Sequence, residues 1–165
     1  MTQVISAVSR LLSQAALVVA GLGLLAMTAI IGWQVIARYL LNASPAWSEQ
    51  TALVLMIGFI SFAAAVGVRE GFHIGMTMAV DALPPISQRI ARIASMLVVA
   101  GFGAGLGIYG AELVSQTWDH VLPTLGIPRG AAYLPLVVSG WLMVFFAAEQ
   151  ILAEVQGRKV VPQWS

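Results

Sequence analysis

Charge spacing constrains this chain more than any motif in it. Its eight basic and seven acidic residues are placed so that residues 11–37, 50–68, 93–111 and 130–148 carry none. The last three runs are nineteen residues each, about 28 Å as α-helix and close to the ~30 Å hydrocarbon core of a bilayer. Inside lipid every backbone N–H and C=O must be paired within the protein, so only helices or closed barrels can span. A barrel needs strands alternating apolar and polar residues, whereas these runs are apolar throughout. The sequence therefore predicts an all-α integral membrane protein, a single four-helix membrane domain over residues 1–165 with spans near 11–37, 50–68, 90–111 and 131–151.

Composition excludes several function classes. Charged residues make up 9% and hydrophobic ones 59%, whereas a soluble domain is about one quarter charged. A net charge of +1 offers no basic face for nucleic acid. Without cysteine there is no disulfide framework, thiolate metal site or thiol nucleophile. The two histidines, His73 and His120, stand apart in connecting segments, so no haem or metal pair is expected inside the helices. No catalytic, cofactor or metal site is predicted.

Before the first span, Val4, Ile5, Val8, Leu11 and Leu12 recur at helical spacing with Gln3, Ser6, Ser9 and Arg10 opposite. This pattern predicts a short amphipathic turn lying at the membrane interface and running into the span. A signal peptide would carry an apolar core of about 7–15 residues; the uncharged run here extends from residue 11 to 37, which favours a span.

Polar residues crowd both mouths of the second span. One mouth reads Arg38-Tyr39, Asn42, Pro45, Trp47, Ser48, Glu49 and Gln50, and the other Arg69-Glu70-Gly71-Phe72-His73-Ile74. Pro45 before the helix, Ser48 as a cap and Glu49 at the positive dipole end open it in order. Arg69 at the negative dipole end and Gly71 as a C-cap close it. Arg38 either snorkels to the headgroups or pairs with Glu49 across the connection, because the next helix returns antiparallel. From His73 to Leu83 apolar and small polar residues alternate over a segment too short to span. It is expected to lie along the surface until Pro84-Pro85, with His73 a structural hydrogen-bonding group.

The third span contains Gly101, Gly103, Gly105, Gly107 and Gly110. Gly105 to Gly110 formally matches a dinucleotide fingerprint, which requires a strand and a soluble βαβ unit that are absent from this pattern. Pairs at four-residue spacing, Gly101/Gly105 and Gly103/Gly107, instead predict flat surfaces where a neighbouring helix comes close. A turn-rich connection from Glu112 to Arg129 leads to the last span. Arg10, Arg69, Arg89, Arg92, Arg158 and Lys159 fall on one side of the membrane, and Arg38 and Arg129 on the other. Positive charge concentrates on the cytoplasmic face, so both termini are expected there. Trp33, Tyr39, Trp47, Tyr109, Trp118 and Tyr133 then form an aromatic belt on the opposite face.

Transporters place ionisable groups at membrane depth along their path, and mark their sites with paired broken helices. Neither is expected here, which points to an accessory or scaffold subunit. The combination Arg38-Tyr39, Asn42, Pro45-x-Trp47-x-Glu49, then Arg69-Glu70-Gly71-x-His73-Ile74, Asp81 and Leu83-Pro84 resembles the small membrane subunit of tripartite ATP-independent periplasmic (TRAP) transporters. The family often has two acidic residues after the tryptophan; here the second is Gln50. The resemblance implies a large membrane subunit holding the sodium and substrate sites, a periplasmic substrate-binding protein that captures an organic acid, and uptake driven by sodium. It implies a bacterial inner membrane location and no enzymatic activity. Carried over by position, Arg38, Tyr39, Trp47 and Glu49 match one motif and Arg69, Glu70, His73 and Ile74 the other, as contacts to the large subunit or local braces. The alternative is a stand-alone homo-oligomeric transporter, which would need a carboxylate in the first span; residues 11–37 contain none.

The charge asymmetry yields a first prediction. In intact spheroplasts an impermeant thiol reagent labels a Ser44→Cys variant and leaves Gln88→Cys and Ser165→Cys unlabelled. The reverse pattern would invert the topology.

Overall fold

The computed structural model describes residues 2–43, 45–71 and 84–157. Among them are four α-helices: α1 Thr2–Leu40, α2 Ala46–Glu70, α3 Pro85–Thr117 and α4 Leu134–Val155. All four contain stretches long and apolar enough to cross a membrane. The surface segment expected between α2 and α3, with His73, lies outside the described residues.

The helices begin and end where local chemistry dictates. Past α1, Asn42 adopts a left-handed conformation (φ 48°) and the Ala43 N–H donates to the Ala37 carbonyl at 3.0 Å, which satisfies a carbonyl the helix end would otherwise orphan. Pro45 precedes α2, but Ser48 does not cap it; its hydroxyl donates to the Pro45 carbonyl at 2.7 Å from inside the first turn. Gly71 closes α2 with φ 68°, its N–H directed at the carbonyls of Gly67 and Val68. Between α3 and α4, Val121 pairs with Pro128, Gly126 turns the chain with φ 66°, and the 3-10 helix Arg129–Tyr133 leads into α4. The Thr124 hydroxyl donates to the Gln50 carboxamide and ties this connection to the start of α2.

The amphipathic turn expected at the N-terminus is not a separate element. It is the first part of the 39-residue helix α1, and Ser9, expected on the polar face at the interface, is fully buried against the rest of the chain, as is Ser13 one turn on. At about 58 Å, α1 is far longer than the hydrocarbon core, as is α3 with 33 residues, about 50 Å.

Packing follows the order α1, α2, α4, α3 across the molecule. The inner helices α2 and α4 run in the same direction. Their common core is Ala65, Val68, Met143, Phe146 and Ala147. In α1 only 11% of an 18-residue apolar window is buried within the chain, against 33% in α4; the outer helices therefore present most of their apolar surface outward.

Hydrophobic burial does not drive association between helices already in lipid, so close van der Waals packing must. It is densest between α3 and α4. A Cβ built on Gly140 would lie 2.6 Å from the Gly107 nitrogen and 2.7 Å from the Gly103 carbonyl oxygen. One on Gly107 would strike the Trp141 indole at 2.9 Å. Gly103 and Gly107 thus face α4, whereas no neighbouring element among the described residues comes within 4 Å of such a Cβ at Gly101 or Gly105. Gly140, absent from the four-residue pattern, completes the crossing.

Gly140→Ala should push α3 from α4 and cost about 1–3 kcal/mol, the usual range for overpacking. Gly105→Ala, which fills open space, should leave stability unchanged or slightly raised. Unfolding in mixed micelles reads both; equal effects would refute the close approach.

Candidate functional site

Arg69 sits in the last turn of α2, where a cation complements the helix dipole. It is only 2% exposed. Its Nε donates to the Ser9 hydroxyl of α1 at 2.8 Å, and its Nη1 to Glu70 at 2.9 Å. Ser9 in turn donates to Oε2 of Glu149 on α4, the same oxygen that lies 4.0 Å from Arg69 Nε. One small hydroxyl therefore accepts from a guanidinium and donates to a carboxylate, joining three helices. Beside it, Gln150 Nε2 donates to the Arg69 backbone carbonyl at 2.7 Å, satisfying one of the carbonyls a helix C-terminus leaves without an intrahelical partner. Glu149 Oε1 and Ser13 Oγ are also buried, with no hydrogen-bond partner among the described residues.

This cluster corrects the expectation that no ionisable group lies within a span. Glu149 is 7% exposed and precedes the end of α4 at Val155 by six residues, about 9 Å along the axis. It stands just beyond the charge-free run 130–148 and inside the span expected at 131–151. Its charge is tolerable because Ser9 and Arg69 meet it. Arg69 and Glu70 were expected as contacts to a large subunit or as local braces; within this chain the pair is turned inward, with both side chains 1% exposed. Ser9, Glu149 and Gln150 were missed. The four-residue spacing of Ser9 and Ser13, two hydroxyls on one helix face, was the available signal.

The other polar motif is arranged differently. Arg38 and Glu49 are exposed, and no ion pair joins them among the described residues. Tyr39 is 75% and Trp47 42% exposed. Gln50, where the family often has a second acid, accepts from Thr124 as described above. His120 is exposed, and its carbonyl accepts from the Arg129 N–H. Among the described residues no group of three His, Cys, Asp or Glu side chains is placed to hold a metal. The chemistry available is bracing at one end of the molecule and open polar and aromatic contact at the other.

Comparison with known proteins decides the family. The model for the DctQ component of tripartite ATP-independent periplasmic transporters matches residues 27–157. The chain belongs to this family. It is 30% identical over 128 residues to the sialic acid TRAP transporter small permease protein SiaQ of Vibrio cholerae, covering 76% of this chain and 73% of that one. Similarity to the C4-dicarboxylate small permease DctQ of Rhodobacter capsulatus is 26% over 107 residues, 60% of this chain and 44% of that longer protein. The ectoine small permease TeaB of Halomonas elongata is 27% identical over 155 residues, 90% of this chain and 80% of its own. The protein is thus a multi-pass TRAP small permease subunit of the bacterial inner membrane, a class that works with a large membrane subunit and a periplasmic binding protein.

The cluster gives the next prediction. Arg69→Leu leaves two buried carboxylates without their cation and should cost about 3–5 kcal/mol. Ser9→Ala should cost about 1–3 kcal/mol through unsatisfied Arg69 and Glu149. The Ser9→Ala/Glu149→Gln cycle should be non-additive by at least about 0.5 kcal/mol. Additive losses in denaturation would mean that the hydroxyl links nothing.

Proposed function

We propose that this subunit is the fixed frame of a sodium-coupled, binding-protein-dependent importer of an organic acid. One observation carries the reading: the central parts of all four helices are free of charge, and the buried ions are matched to one another near one end. A chain so built has no route of its own for a charged solute across the ~30 Å hydrocarbon core. Sodium and solute sites then belong to the large subunit, and solute capture to the periplasmic protein. The names of two relatives, for sialic acid and C4-dicarboxylate transport, support an acidic solute. The charge count of the sequence supports cytoplasmic termini.

Within this frame the two polar motifs take different parts. Arg38, Tyr39, Trp47 and Glu49 make contacts to the large subunit, since each is exposed and no ion pair engages the Arg38 or Glu49 side chain among the described residues. Arg69 and Glu70 brace the frame itself. His73 belongs to the same motif and is a further contact to the large subunit in this reading. The single chain 1–165 acts as one membrane domain, and α3 offers its second glycine pair, Gly101 and Gly105, to lipid or partner.

Proteoliposomes under an inward sodium gradient should accumulate solute only when both membrane subunits and the binding protein are present. Arg38→Ala and Glu49→Ala should each lower co-purification of the large subunit while the isolated chain stays as stable as wild type. Sodium-driven uptake by this chain alone would replace the frame with the stand-alone transporter.

A further inference from the structure

Between α2 and α3 lies a groove of about 420 Å³ lined by Ala64, Gly67, Val68, Val98, Val99 and Phe102, with Met143 of α4 also in its wall. That volume is within the range of about 300–1,000 Å³ usual for small-molecule sites, yet no lining residue carries a polar side chain. Phe102 and Val98 are 61% and 72% exposed, so the groove opens sideways to the surroundings of the helices. It is not a core void.

The wall contributed by α3 changes character with depth. At 3.6 residues per turn, positions seven apart share a face, which puts Arg92 beneath Val99 and Ser95 beneath Phe102. Arg92 lies about 10 Å along the axis from Val99, toward the start of the helix at Pro85. The Ser95 hydroxyl donates to the Arg92 carbonyl at 2.8 Å. One turn earlier Arg89 donates through Nη2 to the Val155 carbonyl at 2.6 Å, which fixes a second cation at the same end. The opposite wall stops near Gly71, where α2 is capped. The stripe is cationic near the start of α3, hydroxylated one turn in and wholly apolar deeper.

The geometry points to a binding site for an anionic phospholipid, with an acyl chain in the α2–α3 groove and its phosphate beside Arg92 and Arg89. Basic pockets between membrane helices recognise anionic headgroups by charge, and guanidinium groups suit phosphate because their donors are planar and forked. A partner helix would match the apolar depth of the groove equally well, but it would have no use for cations at its mouth. The charge at that mouth favours the lipid.

Native mass spectrometry tests the site with phosphatidylglycerol and phosphatidylcholine of identical acyl chains, titrated onto the full chain and onto its complex with the large subunit. Wild type should bind phosphatidylglycerol more tightly than phosphatidylcholine. Arg92→Gln should weaken phosphatidylglycerol about fivefold, the equivalent of roughly 1 kcal/mol per basic residue at the surface, and Arg92→Lys, which keeps the charge without the fork, should restore part of it. Val99→Trp should abolish specific binding of both lipids, while Leu25→Trp on the exposed face of α1 should change neither. Equal affinity for the two lipids, wild-type binding by Arg92→Gln or Val99→Trp, or loss of the lipid on assembly with the large subunit would each overturn the proposal.

Discussion

A polar group that loses its partner inside a membrane has no water to turn to, and the arrangement of this subunit depends on that constraint. Arg69, Glu149 and Glu70 are buried ionisable groups in a chain that otherwise keeps its helix centres uncharged. Each is costly to bury alone. Ser9 makes their burial tolerable because a hydroxyl both donates and accepts, so one atom serves the cation and the anion together. Serine is also small enough to stand where α1 meets α2 and α4. A longer donor would hold the helices further apart, and an apolar residue would strand both charges. Geometry at this end of the molecule is therefore set by directional bonds, which specify angle and register in a way that apolar contacts do not.

Elsewhere the helices meet through shape alone. Gly103, Gly107 and Gly140 bring two backbones close enough that any Cβ between them would overlap an atom. Dispersion between pairs of atoms is individually tiny and grows only by numbers, so near-contact along a backbone is how lipid-embedded helices gain cohesion. Trp141 lies over Gly107 and uses the missing side chain as its seat. The spatial order α1, α2, α4, α3 then leaves the outer helices with broad uncovered faces. A frame for a larger partner suits such an arrangement better than an enclosing bundle does.

The number and kind of helices were legible because charge-free runs of bilayer length allow one reading. Their ends were less so. A helix does not stop where hydrocarbon stops, and the polar residues that bounded the expected spans at 11 and 90 continue helically to Thr2 and Pro85. Caps that rest on backbone geometry, such as Gly71, could be read locally; Ser48 could not, since its hydroxyl had a choice between two backbone partners. The buried cluster was hidden for a different reason. Ser9 and Glu149 are 140 positions apart, and each taken singly is an ordinary residue near a helix end. Only the tertiary arrangement turns a serine among headgroups into a link between ions. Gly140 escaped notice likewise, because its partners are on another helix.

The two polar ends differ in what they can offer a partner, and the difference follows from hydration. At the Ser9–Arg69 end the ionic groups are already desolvated and matched, so a partner would have to break favourable bonds in order to use them. At the Arg38–Glu49 end the charges remain exposed, where even a formed pair would be worth only about 0–1 kcal/mol. The absence of an ion pair between them among the described residues therefore costs almost nothing. A partner that covers them changes the balance, since a charge-assisted hydrogen bond is roughly twice as strong as a neutral one and strengthens as water is excluded. Tyr39 and Trp47, both exposed near them, supply apolar area with a polar tip, the combination that suits an interface at the membrane boundary. Under the proposed function, rigidity and recognition are thus separated along the helix axes: the closed end fixes how the helices stand, and the open end presents exposed charges that a partner can cover.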